Sequence, residues 1–124
     1  MNIALWVVAS VLAAVFLASG ASKILQPREK LIAGGYKWAE DYTPAQVTLI
    51  GVIEAVGAFG LILPAALGIL EILTPVAATG LALVMVAAAL VHLRRNETKH
   101  MVNPLVLGAI AATVAVLRFG PYSF

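Results

Sequence analysis

Four apolar tracts, residues 3–25, 45–63, 75–94 and 103–119, decide most of what this chain can become. Each approaches the ~20 residues that an α-helix needs to cross ~30 Å of hydrocarbon. The last is the shortest, and a start at Asn103 or a slightly inset position brings it into range. Backbone N–H and C=O groups have no water to turn to in lipid, and the tracts lack the strict alternation of barrel strands, so they predict helices. Composition agrees, with 62% of the 124 residues apolar and 11% charged, against roughly half and a quarter in soluble domains. The expectation is an all-α integral membrane four-helix bundle, one domain over residues 1–124, in contact with the lipid bilayer.

Several classes drop out at once. Ala18-Ser19-Gly20-Ala21 looks like a small-residue cleavage site, but no Lys or Arg precedes it and the tract is too long for a signal segment, so it reads as a retained span. Without cysteine, the chain supplies no disulfide, thiol redox couple or thiolate metal site. The formal net charge is +2, and seven of the eight basic residues lie around two connections. Lys23, Arg28, Lys30 and Lys37 follow the first tract, Arg94, Arg95 and Lys99 follow the third, and only Arg118 lies elsewhere. That distribution fits the positive-inside rule and needs no nucleic-acid partner. It predicts a multi-pass protein of the bacterial plasma membrane, with both basic connections cytoplasmic and both termini outside.

Boundaries follow from proline and glycine. The first helix ends ahead of Gln26-Pro27, since the residue before proline disfavours α geometry. The polar stretch after it is either a short surface-lying helix with a Gly34-Gly35 break and an aromatic anchor of Tyr36, Trp38 and Tyr42, or a solvated loop with interfacial aromatics. Pro64 is expected to close the second helix, Thr74-Pro75 to cap and open the third, and Asn103-Pro104 to do the same for the fourth, which Gly120-Pro121 ends.

One residue resists a purely structural explanation. Glu54 lies ~13 Å along its span from Ala45 at ~1.5 Å per residue, close to mid-bilayer, where an ionisable group costs at least ~2.5 kcal/mol on insertion scales. At ~100° per residue, Leu49, Val52, Val56, Phe59 and Leu63 share one face and Glu54 points away from it, next to Gly51 and Ala58 and near Gly57. The acid is therefore expected inside the bundle, with Gly20, Gly51 and Gly57 as helix-packing positions. Its candidate partners are Lys23, at the inner end of the first helix on a face with Ser19 and Gly20, and His92 near the end of the third. Antiparallel packing leaves ~10 Å of depth between Lys23 and Glu54, to be closed by side-chain length or a water. Read singly, Lys23 is a snorkelling lysine and His92 an ordinary helix-end histidine. His92, His100 and Glu71 do not make a metal motif, and Ser10, Ser19 and Ser22 have no matched base, so no catalytic residue and no metal are assigned.

Gly20-x-x-Lys23, then GVIEAVGAFGLILP at residues 51–64, then TPVAATGLALVMVAAALVHLRR at residues 74–95, resembles the DoxX family of small four-helix bacterial membrane proteins. The resemblance runs over roughly residues 13–119 and is most specific in the Gly51, Glu54, Gly57 spacing joined to the upstream lysine. It implies a four-helix bundle in the plasma membrane, in a family linked to membrane redox complexes and to the assembly of other membrane proteins, and it brings no catalytic residues. Together these readings favour a chain without catalytic activity of its own, binding a quinone or lipid-like molecule at Lys23, Glu54 and His92. The alternative is a scaffold, for other membrane proteins or a homo-oligomer, in which the same charges set helix register.

Overall fold

The computed structural model describes residues 2–124. Helix α1 spans Asn2–Leu25, α2 Arg28–Ala33, α3 Pro44–Leu67, α4 Leu73–Arg94 and α5 Val102–Phe119; 3₁₀ turns at Lys37–Asp41 and Thr98–Met101 precede α3 and α5. Four of these segments are long and apolar enough to cross a membrane: α1, α3, α4, and α5 with its preceding turn. Successive long helices run up and down, α1 on α3, α3 on α4 and α4 on α5, with α5 closing against α1. No strand occurs among the described residues. This is a four-helix membrane bundle.

Small and branched side chains fill its axis. Leu12 and Phe16 of α1, Ala58 and Leu61 of α3, Ala78, Leu81 and Met85 of α4, and Ala111 and Val114 of α5 form one buried cluster. Leu49, Val52, Val56, Phe59 and Leu63, the stripe opposite Glu54, are all exposed, as are Leu83, Val86 and Leu90 of α4. Such an outward apolar coat is tolerable only where lipid replaces water.

Three boundaries differ from expectation. Pro64 does not close α3, which runs on to Leu67 and ends at Gly68 in the left-handed region, φ 70°. Proline removes one backbone donor and opens the ladder locally, and the third helix responds: the Thr74 hydroxyl donates to the Leu61 carbonyl at 2.9 Å. Thr74 is therefore spent across helices and does not cap α4, which starts one residue earlier at Leu73. Asn103 likewise does not cap α5, because the 3₁₀ turn feeds straight into a helix that begins at Val102. The cap that does form is Thr43. Its hydroxyl accepts from Gln46 N–H at 3.2 Å while the Gln46 side chain accepts from Thr43 N–H at 2.9 Å, with Pro44 at the first helical position.

The polar connection folds back onto the bundle. Leu31 of α2 and Ala39 bury against Val47 of α3, and the Arg28 guanidinium donates to the carbonyls of Ala39, Glu40 and Tyr42. Of the two alternatives for this stretch, the short helix with a Gly34-Gly35 break is the one that forms, with Gly35 at φ 116°. It is packed, however, as a cover over the end of the helices.

Candidate functional site

Geometry at the site starts with glycine. A Cβ on Gly20 would lie 2.6 Å from the Gly51 carbonyl oxygen, and one on Gly51 2.7 Å from the Gly20 oxygen and 2.8 Å from the Lys23 Cβ. With hydrogen in those places the α1 and α3 backbones touch. A Cβ on Gly57 would meet Leu81 of α4 at 2.7 Å, so the third glycine seats a side chain of the neighbouring helix.

That contact sets the register. The last turn of α1 meets α3 about two turns in, at Gly51, instead of at its first turn. The expected ~10 Å offset between Lys23 and Glu54 therefore does not exist. Lys23 Nζ donates to Glu54 Oε1 at 2.5 Å and to Ser19 Oγ at 2.7 Å, and Ser19 Oγ donates to Glu54 Oε2 at 3.1 Å. Lys23 and Glu54 are 7% and 2% exposed, so the lysine turns inward and does not snorkel. The third side of the ammonium faces the rings of Tyr36 and Trp38, with centroids at 5.5 and 5.7 Å. The ion pair is thus held between α1, α3 and the aromatic rings, with few of its atoms exposed.

Beside it lies a cavity of about 900 Å³. Val15, Phe16, Ile53, Val84, Met85 and Leu107 give it an apolar floor; Ser19, Ser22, Lys23 and Glu54 line one wall; Tyr36, Trp38 and Tyr42 of the first connection cover it. His92 of α4 and His100 of the following turn line the opposite wall. The cover is itself an aromatic stack, Tyr36 on Trp38 on Tyr42, edge to face at 6.2 and 5.8 Å.

His92 shares the cavity but not the role expected of it. Its Nδ1 pairs with Glu97 Oε1 at 2.9 Å, and its ring stands 5.7 Å from that of His100. The hydrogen bonds of Glu54 go to Lys23 and Ser19, so Lys23 is what offsets its charge. The reason is topological, since Glu97 lies five residues on, where the chain turns back, and reaches the ring first. The hydrogen bond from His92 holds the Glu97 carboxyl below the usual carboxylate range. On the outer surface Arg95 gathers Asp41 at 2.8 Å, Glu40 at 3.2 Å and Glu97 at 3.3 Å, tying the cover to the third connection. The bond to Asp41 drives the Arg95 guanidinium further into its charged form. Among the described residues no group of three or more His, Asp or Glu could hold a metal ion.

The chain matches the model of the DoxX-like family over residues 7–114. It belongs to that family. The match covers most of α1, the cover, α3, α4 and most of α5, and so takes in Ser19, Lys23, Glu54 and His92 while leaving out Arg118. Neither the curated proteins nor the solved structures offer a match.

Sequence reasoning placed Ser19 on the Lys23 face but assigned it no bond, and it assigned no role to the aromatic cover over the ammonium or to Glu97. The aromatic spacing 36, 38, 42 was visible; that it folds over the bundle end depends on Arg28 and on the Leu31, Ala39 and Val47 contact.

Proposed function

We propose that this DoxX-like chain is a membrane-embedded binding module, without catalytic activity of its own, that holds a small amphipathic molecule such as a quinone or a lipid under Tyr36 and Trp38. One observation carries the reading: a cavity of about 900 Å³ with mostly apolar walls and a buried ion pair in one of them. That size lies within the ~300–1,000 Å³ of ordinary ligand sites. A chain this rich in apolar side chains had the means to fill the space, and charge within a membrane span is costly enough to mark function by default. Lys23, Glu54 and His92 are the proposed ligand-facing residues, and a larger membrane redox assembly is the proposed setting. The positive-inside rule puts the cavity at the cytoplasmic side of the bacterial plasma membrane, with both termini outside.

Purification in native lipid followed by mass spectrometry tests this. A retained amphiphile is expected in the wild type and lost in Ala88→Trp, which puts an indole into the cavity that Ala88 lines, with thermal stability checked in parallel. Finding no retained molecule in either form would remove the support.

A second reading has its own observation. Both Glu54 oxygens and the Lys23 ammonium are satisfied inside the chain, which is what a device for fixing helix register requires. As a scaffold for other membrane proteins or for a homo-oligomer, the chain would bind nothing detectable, and Glu54→Gln would lower only stability or association.

A further inference from the structure

The cavity has two unlike polar walls: in one a buried ion pair is already engaged, with the Ser22 hydroxyl beside it, and in the other a histidine ring uses one nitrogen only. On the α1–α3 wall the Lys23 ammonium is divided between Glu54, Ser19 and two aromatic faces, the Ser19 hydroxyl is given to Glu54, and each Glu54 oxygen already accepts. On the opposite wall His92 engages Nδ1 alone. A carboxylate accepts and does not donate, so the Glu97 contact takes a proton on Nδ1, and in the neutral form of the ring the lone pair then lies on Nε2. Nε2 has no protein partner among the described residues. Among the described residues no fully buried side-chain nitrogen or oxygen lacks a partner, so Nε2 is not fully enclosed, on a ring that lines the cavity. The His100 ring, tilted 30° to it, restrains the orientation.

We infer that the cavity selects ligands whose polar end carries a hydroxyl donor on a planar ring, with His92 Nε2 as the acceptor and Glu97 as the residue that fixes its tautomer. This rests on the reading of the cavity as a ligand site and names the chemistry that site prefers. A phenol-type headgroup meets the lone pair with its O–H while its ring lies against the Tyr36 and Trp38 cover, and an alkyl tail follows the apolar floor. An anionic headgroup would bring its own lone pairs against that of Nε2 and find the buried ammonium in the cavity wall already neutralised by Glu54.

The test uses 4-octylphenol and its methyl ether, 4-octylanisole, which differ in the donor alone. Binding is read from Trp38 fluorescence in a Trp6→Phe background, which leaves one tryptophan. The phenol is expected to bind about tenfold more tightly than the ether, the worth of one hydrogen bond whose acceptor is otherwise left unpaired. In His92→Phe the preference should fall to less than about twofold with ether affinity kept. Glu97→Leu should do the same, and Glu97→Gln, which still accepts from Nδ1, should restore it. Equal binding of the two compounds by the parent protein, or a preference that survives His92→Phe, overturns the inference and leaves the ligand site standing. Failure of both compounds to bind a folded protein overturns the ligand site and the inference with it.

Discussion

Two clusters of charge occupy the same end of the bundle, and their geometries are alike while their surroundings are not. Lys23 and Glu54 meet at 2.5 Å with side chains 8% and 2% exposed; Arg95 meets Asp41 at 2.8 Å with side chains 21% and 55% exposed. In water an ion pair competes with hydration and salt and is worth little. In the buried seam between α1 and α3 neither charge has another ionic partner among the described residues, so loss of one strands the other. Distance is nearly common to both clusters, and burial decides which of them the fold depends on.

The largest break in that comparison is Glu54→Ala. It leaves a buried ammonium with only Ser19 and two rings, and about 3–5 kcal/mol of stability should be lost, as measured by reversible denaturation in mixed micelles. The paired change Lys23→Met with Glu54→Leu should recover most of it, since apolar side chains of similar volume need no counter-charge. If the double variant is as unstable as the single one, the pair is not the principal term.

Next comes the seam itself. Gly51→Ala places a methyl 2.7 Å from a backbone oxygen that cannot rotate away, so α1 and α3 must separate; a cost of about 1–3 kcal/mol is expected, with Lys23 becoming more reactive to amine-modifying reagents. Gly57→Ala meets only the Leu81 side chain and should cost less. A smaller effect, about 1 kcal/mol, is expected for Thr74→Val, which removes the hydroxyl bonded to Leu61 beside the Pro64 break.

Arg95→Ala should have the least effect on global stability. Its readout is the cover, and quenching of Trp38 by an aqueous quencher should rise in the variant and rise likewise in the wild type at high salt. Glu97 adds a pH dependence of defined sign. A carboxyl held below its usual value by His92 stabilises the fold at pH above about 4.5, and that contribution is lost as the pH falls through the lowered value. Trp38 quenching should therefore increase on acidification below that point in the wild type and be flatter in Glu97→Gln.

The legibility of these parts from sequence follows their physics. The spans, the lipid-facing stripe and the inward direction of Glu54 are local properties, set by hydropathy and by 100° per residue, and they were readable. Gly20 and Gly51 were readable as packing positions, but not that they touch one another. Pro64 misled because a rule about isolated helices was overridden by a hydroxyl 10 residues away in sequence, on another helix. His92 was placed at the right end of the bundle, yet its partner was fixed by how the third connection turns.

Sequence by itself therefore determined that the chain lives in a membrane, as four helices, with one acid turned from lipid, because transfer from water to hydrocarbon is paid residue by residue and pattern alone reports it. Tertiary structure decided the register that joins Lys23 to Glu54, the aromatic cover over that pair and the open nitrogen of His92. Each of those depends on contacts between segments distant in the chain, Gly20 with Gly51, Leu31 with Val47 and Asp41 with Arg95, whose energies exist only once the helices are packed.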